Sequence, residues 1–206
     1  MEDKYVKLQS IITEDTEAFD LFLGRIRPED LDYQKVLDFL ESEKTEVRTG
    51  GWALLIKHFP EKLTYKTLLD LLGSKYPDAR HKAGELLDAV RVEDLEYEVL
   101  FKILKSDNQA VSNGALFLIE KIPAKSFNFQ VLFFFLGSDD ERTRTTARKT
   151  LERMPSENFA CHALLSFSKS ENGDTRDAAL SLIAKHFPEE VIESRAIDLL
   201  KLFQDQ

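Results

Sequence analysis

Residues 127–158 read FNFQVLFFFLGSDDERTRTTARKTLERMPSEN: an apolar segment, a Gly-Ser-Asp-Asp turn, a charged segment and a Pro-Ser-Glu-Asn close. Moved back by 32 residues, the same register falls on LEYEVLFKILKSDNQAVSNGALFLIEKIPAKS. Two further shifts reach the segments beginning at Leu63 and Leu31, and one forward shift reaches Phe159. A fixed period of this length marks a stack of supersecondary units, each too small to bury its own apolar face. The expected organisation is one domain over 1–206, with repeats 1–30, 31–62, 63–94, 95–126, 127–158 and 159–190 and a closing helix over 191–206.

Within each unit the first segment carries a wide apolar stripe. Tyr65, Leu68, Leu69 and Leu72 stand at i, i+3, i+4 and i+7, as do Tyr33, Val36, Leu37 and Leu40, Tyr97, Leu100, Phe101 and Leu104, and Phe129, Leu132, Phe133 and Leu136. That spacing is helical. A further column, Phe39, Leu71, Ile103, Phe135 and Phe167, widens the stripe as packing on several neighbours requires. Each first helix runs into a serine, at positions 10, 42, 74, 106, 138 and 170. No histidine or acid recurs beside it, so these serines read as turn residues whose hydroxyls bind loose backbone groups.

Asn108, Asp140 and Asn172 stand where second-helix N-caps belong, and Pro77 suits a first helical position. The second helix carries a small-residue column, Gly51, Ala83, Ala115, Ala147 and Ala179, that permits close helix approach. Asp30, Asp94, Ser126 and Asn158 are expected to cap the next first helix.

A basic column, Arg48, Arg80, Arg144 and Arg176, follows acids at Glu43, Asp107, Asp139 and Glu171. Here the chain resembles the HEAT-repeat family in its short bacterial-type form, as in LGSDDERTRTTARKTLERM and SENGDTRDAALSLIAKHF. The resemblance covers nearly the whole chain. It implies an all-α, right-handed α-solenoid of stacked antiparallel helix pairs, a structural ladder formed by the acid and Arg columns, and a protein-binding role. The tryptophan–glycine–tyrosine pattern of tetratricopeptide arrays and the TPLHxA turn of ankyrin arrays are absent.

The formal net charge is −9, concentrated at the two ends, with near-neutral central units. No basic stripe of the kind that tracks phosphate backbones is present, so nucleic acid is disfavoured as a partner. Arg142, Arg144, Arg148, Lys149 and Arg153 are interleaved with Asp139, Asp140, Glu141 and Glu152 and read as a solvated, salt-bridged helix. No apolar run is long enough for a membrane span. The first residues do not form a signal peptide, and a single cysteine suits a reducing compartment, so a cytoplasmic monomer is expected.

No glycine-rich phosphate loop, paired-carboxylate motif or nucleophile elbow appears, and no metal or cofactor is expected. Cys161 falls in the aromatic column of Tyr33, Tyr65, Tyr97 and Phe129 and reads as buried core. His58 and His186 read as helix C-terminal residues favoured by the dipole.

On a helical wheel the face of the second helix opposite its core columns collects Trp52, Ile56, His81, Glu85, Leu116, Phe117, Arg148, Lys149 and Leu180. Large apolar groups on a face expected to be polar mark a binding surface, with Trp52 as its central anchor. The functional expectation is a non-catalytic protein–protein interaction module, a scaffold or adaptor whose partner is another protein. Two alternatives stand behind it. One is an acidic inhibitor or immunity protein neutralising a basic toxin or nuclease. The other, lower, is a HEAT-like lyase or DNA glycosylase, for which Glu85, Asp88 and Glu120 near Trp52 are the nearest approach to a site.

Overall fold

A computed structural model describes residues 4–189, and every regular element among them is a helix. The α-helices are α1 (Lys4–Glu14), α2 (Thr16–Arg25), α3 (Tyr33–Asp38), α4 (Thr45–His58), α5 (Tyr65–Leu72), α6 (Pro77–Asp88), α7 (Tyr97–Ile103), α8 (Gln109–Lys121), α9 (Phe129–Leu136), α10 (Glu141–Arg153), α11 (Cys161–Phe167) and α12 (Gly173–His186). The first helix of each pair from α3 onward starts 32 residues after the last, so the period in the sequence is a period of helix pairs. The closing helix expected over 191–206 lies outside the described residues. The described residues up to Leu95, with Asn108–Gly114, form one compact unit; Glu96–Asp107 with the described residues from Ala115 onward form a second.

The serine turn is a repeated hydrogen-bonded device. The hydroxyl oxygens of Ser42, Ser74, Ser138 and Ser170 each accept the backbone N–H two residues on, at 3.2–3.3 Å. Their carbonyls accept from the guanidinium six residues on, at 2.8 Å from Arg48 and Arg80, 2.9 Å from Arg144 and 3.2 Å from Arg176. A side chain from the second helix thus satisfies carbonyls left over where the first helix ends.

The arginine column therefore does its work through backbone oxygens rather than through the acids five residues earlier, as the family resemblance had implied. Asp139 pairs instead with Lys105, 2.9 Å away. The link between pairs comes from a different acid, 30 residues on. Arg48 meets Asp78 at 2.8 Å, and Arg144 meets Asp174 at 3.3 Å.

Three other expectations are corrected. Asp30, Asp94, Ser126 and Asn158 close short 3₁₀ turns and do not cap the next helix. The caps lie two residues further on, at Asp32 and Asn128, whose side chains accept N–H groups of the first turn. The 3₁₀ turn consumes the extra residues. Ser10 lies inside α1, so the N-terminal pair does not share the turn geometry of the others. Cys161 is half-exposed rather than buried, as are Tyr33, Tyr97 and Phe129 in the same column.

The core follows the stripes. Val36, Leu68, Leu100, Leu132 and Leu164, spaced by 32, are 0–1% exposed, and Ala83, Ala115, Ala147 and Ala179 are fully buried. At Gly51 the approach is closer still: a Cβ there would lie 2.9 Å from that of Phe39. In the second unit adjacent first helices meet through face-to-face rings, Phe101 on Phe135 at 4.5 Å and Phe133 on Phe167 at 4.2 Å. Such pairs add about 0.5–1.5 kcal/mol beyond area burial.

In the first unit the N-terminal pair packs on α4. Ile12 fills the space beside Gly50, and His58 Nε2 lies 3.3 Å from the Leu23 carbonyl.

Candidate protein-interaction face

Helix α10 organises the face in the second unit. Asp140 caps it, accepting the N–H and the hydroxyl of Thr143, both at 2.6 Å. Burial works to raise the Asp140 pKa, and the Thr143 bonds outweigh it and hold the carboxyl below the usual range. Thr143, Thr146, Ala147, Thr150 and Leu151 turn inward and are buried. The Thr150 hydroxyl donates to the Thr146 carbonyl at 2.8 Å, so the polar atom of an inward threonine is satisfied within its own helix.

The remaining face of α10 is charged and splits in two. Toward α12, Arg144 and Arg148 converge on Asp174, at 3.3 and 2.5 Å. They line a groove of about 400 Å³ with Glu141, Lys149 and Glu152. Toward α8, Arg142, Lys149 and Arg153 line a second groove of about 510 Å³, with Thr145, Thr146 and Thr150 beside them and Leu116, Ile119 and Glu120 opposite. Neither Lys149 nor Arg153 has a carboxylate within 4 Å among the described residues.

Apolar groups flank these grooves in register. Leu116, Arg148 and Leu180 occupy equivalent positions on α8, α10 and α12; Leu116 is half-buried and Leu180 is 51% exposed. Phe117, 40% exposed, shares its column with Lys149, and the Lys121 ammonium lies 5.4 Å from its ring centre.

In the first unit, Ile56 is exposed on α4, and His81 and Glu85 are exposed on α6. Glu85 is engaged by Lys82 at 2.9 Å and by His81 at 3.2 Å. The Lys82 bond holds its pKa below the usual range, the opposite of what a general acid needs.

Trp52 is the exception. Expected as the exposed anchor, it is buried, at 6% exposure. The N-terminal pair packs on α4, which buries Val47, Arg48, Gly50, Gly51, Trp52, Leu54, Leu55 and His58 and leaves free a strip that carries Thr49, Ile56 and Lys57. The indole Nε1–H finds no partner. Trp52 is a core residue.

Sequence reasoning placed the other eight residues on a surface, and they are at least partly exposed. It left Arg153 and Thr145 out of the site, although the i, i+4 spacing of Lys149 and Arg153 and the threonine at 145 would have placed all three along one edge of a helix. Among the described residues no group of three or more His, Cys, Asp or Glu side chains is placed to hold a metal ion, and no helix is long and apolar enough to cross a membrane.

No protein-family profile matches this sequence, and no curated protein is similar to it. Among solved structures, similar chains include an archaeal HEAT-like repeats protein from Thermococcus onnurineus NA1, 15% identical over 87% of this chain and 80% of that one, with a TM-score of 0.34. An engineered protein is 17% identical over 87% of this chain and 88% of its own, at a TM-score of 0.30. A designed armadillo repeat protein is 16% identical over 87% and 90%, at 0.28. Similarity of this grade assigns neither a partner nor a binding face.

Proposed function

We propose that this chain is a non-catalytic protein-interaction module, and that the outward face of α8, α10 and α12 in its second unit receives the partner. The observation that carries this reading is the exposure of Phe117 on α8 and Leu180 on α12, helices whose opposite sides already fill the core. Exposed aromatic and aliphatic groups next to arginine are the composition of interface centres, with a charged rim around them. Ile56, His81 and Glu85 hold the outward positions of α4 and α6 and are included as contributors in the first unit.

Retention of native-lysate proteins on immobilised protein, quantified by mass spectrometry, tests it. A partner should bind the wild type and a Phe134→Ser variant, altered at a 77%-exposed ring on the first-helix side, but not a Phe117→Ser/Leu180→Ser double variant. Equal retention by all three would mean that the second-helix face is not the binding face.

A further inference from the structure

The two grooves beside α10 differ in one respect that bears on the partner's chemistry. On the α12 side both arginines are satisfied by Asp174. On the α8 side Lys149 and Arg153 stand one turn apart on the same edge of α10, exposed, with no carboxylate within 4 Å among the described residues. Acidic side chains are not in short supply, since the chain carries 37 Asp and Glu against 28 Lys and Arg. Some exposed cations pair with them, as Lys82 does with Glu85, Arg91 with Asp94 and Lys105 with Asp139, while Lys57, Lys102 and Lys125 have no ion pair among the described residues either. What sets Lys149 and Arg153 apart is that they line a groove together.

The walls of this groove add a second requirement. Leu116 is half-buried and Ile119 is buried, which gives the cleft an apolar wall on α8. Thr145 presents an exposed hydroxyl between the cations and the acidic N-terminal turn of α10. The acids lining the cleft are Asp140, occupied at the helix cap, Glu141 and Glu120. A volume of about 510 Å³ admits a few side chains of a linear segment.

We infer that the α8–α10 groove binds an acidic linear segment of a partner protein, carboxylates on Lys149 and Arg153 and an apolar side chain against Leu116. This rests on the interaction-module reading and narrows it to a partner of one charge. It runs opposite to a basic toxin or nuclease as the occupant of this groove. Glu120 works against an acidic segment here, and that supplies a test of sign.

The wild-type protein is panned against a displayed random-peptide library, and the selected sequence is synthesised with a fluorophore for anisotropy titration. Selected peptides should be rich in Asp and Glu with an interspersed apolar residue, and binding should weaken with added salt. Lys149→Glu/Arg153→Glu should weaken binding about tenfold or more, and the milder Lys149→Gln/Arg153→Gln should weaken it less. Glu120→Gln should tighten it by about two- to fivefold.

Basic selected peptides, an affinity indifferent to both double variants, or weakening by Glu120→Gln would each overturn the inference. Should the selected peptides be basic or uncharged yet lose binding in the Phe117→Ser/Leu180→Ser variant, the interaction face stands and the acidic-segment assignment falls. If panning selects nothing, both fall for linear partners.

Discussion

Arg48 Nε lies 2.8 Å from the carboxylate of Asp78, thirty residues away, while the same guanidinium donates to the Ser42 and Glu43 carbonyls and stands 4.2 Å over the ring of Tyr76. One buried side chain thereby closes its own turn and fastens the next helix pair. Arg144 repeats the arrangement with Ser138, Asp139 and Asp174, but its side chain is 30% exposed where that of Arg48 is 7% exposed. Hydrogen bonds to charged groups contribute about 1.5–3 kcal/mol when screened from water. Arg48→Met should therefore lower unfolding free energy by about 2–3 kcal/mol and Arg144→Met by about 1 kcal/mol, read from urea midpoints. Equal losses would mean that burial does not set the strength of this link.

The Asp78 carboxyl is held below its ordinary value of 3.8 chiefly by the Arg48 hydrogen bond. Its native state releases the proton more readily than the unfolded chain, so the stabilisation is fully present above about pH 4 and is lost as pH falls through the depressed native value. Stability measured between neutral pH and about pH 3 should fall less steeply at the acid end in Asp78→Asn than in the wild type. Superimposable slopes would show that this carboxylate is not linked to folding.

Trp52 offers a test of packing without a hydrogen bond. Trp52→Ala should cost about 3–5 kcal/mol, as expected for a large buried side chain. Trp52→Phe should cost no more than about 1–2 kcal/mol, because the lost volume is smaller and the unpartnered indole N–H no longer has to be desolvated. A thermal shift of Trp52→Ala near zero would restore the exposed-anchor reading.

The legibility of this chain was uneven for a physical reason. The column Val36, Leu68, Leu100, Leu132 and Leu164 could be read from spacing alone, because a repeat imposes the same burial on every copy. Trp52 could not. Its burial depends on the one pair that leaves the register, where Ser10 sits in mid-helix and Ile12 reaches across to Gly50. The Arg48–Asp78 and Arg144–Asp174 links escaped as well, since a 30-residue partner lies off the 32-residue period and only the folded geometry brings it within reach. On the candidate face, Leu180 and Phe117 were legible as apolar residues out of place, whereas the difference between the satisfied Arg148 and the unpaired Lys149 needed distances.

Glycines on the second helices should respond to alanine in opposite directions. A Cβ at Gly84 would meet nothing within 4 Å, whereas one at Gly114 would run into Leu72 Cδ1 and lie 2.9 Å from Leu69 Cδ2. Gly84→Ala should stabilise by about 0.5–1 kcal/mol through helix propensity. Gly114→Ala should destabilise by about 1–3 kcal/mol through overpacking against two buried leucines. Calorimetric melting temperatures moving in the same direction would contradict the contact geometry.

The repeat boundaries, held here as a proposal, have their own test. Internal deletion of residues 95–126 removes one full period and should leave a folded helical protein by circular dichroism, while deletion of half that length should not. Equal outcomes would show that the 32-residue unit is not the modular one.

The side-chain hydrogen bonds that tie pair to pair have short reach along the chain, from 26 residues between Arg148 and Asp174 to 35 between His58 and Leu23. Among the described residues these bonds therefore close only modest loops as the chain organises. Low contact order of this kind places folding toward the fast end of the range, where ordering can begin at any pair and spread to its neighbours. A nascent chain could thus begin to order its first pairs while its later residues are still being synthesised.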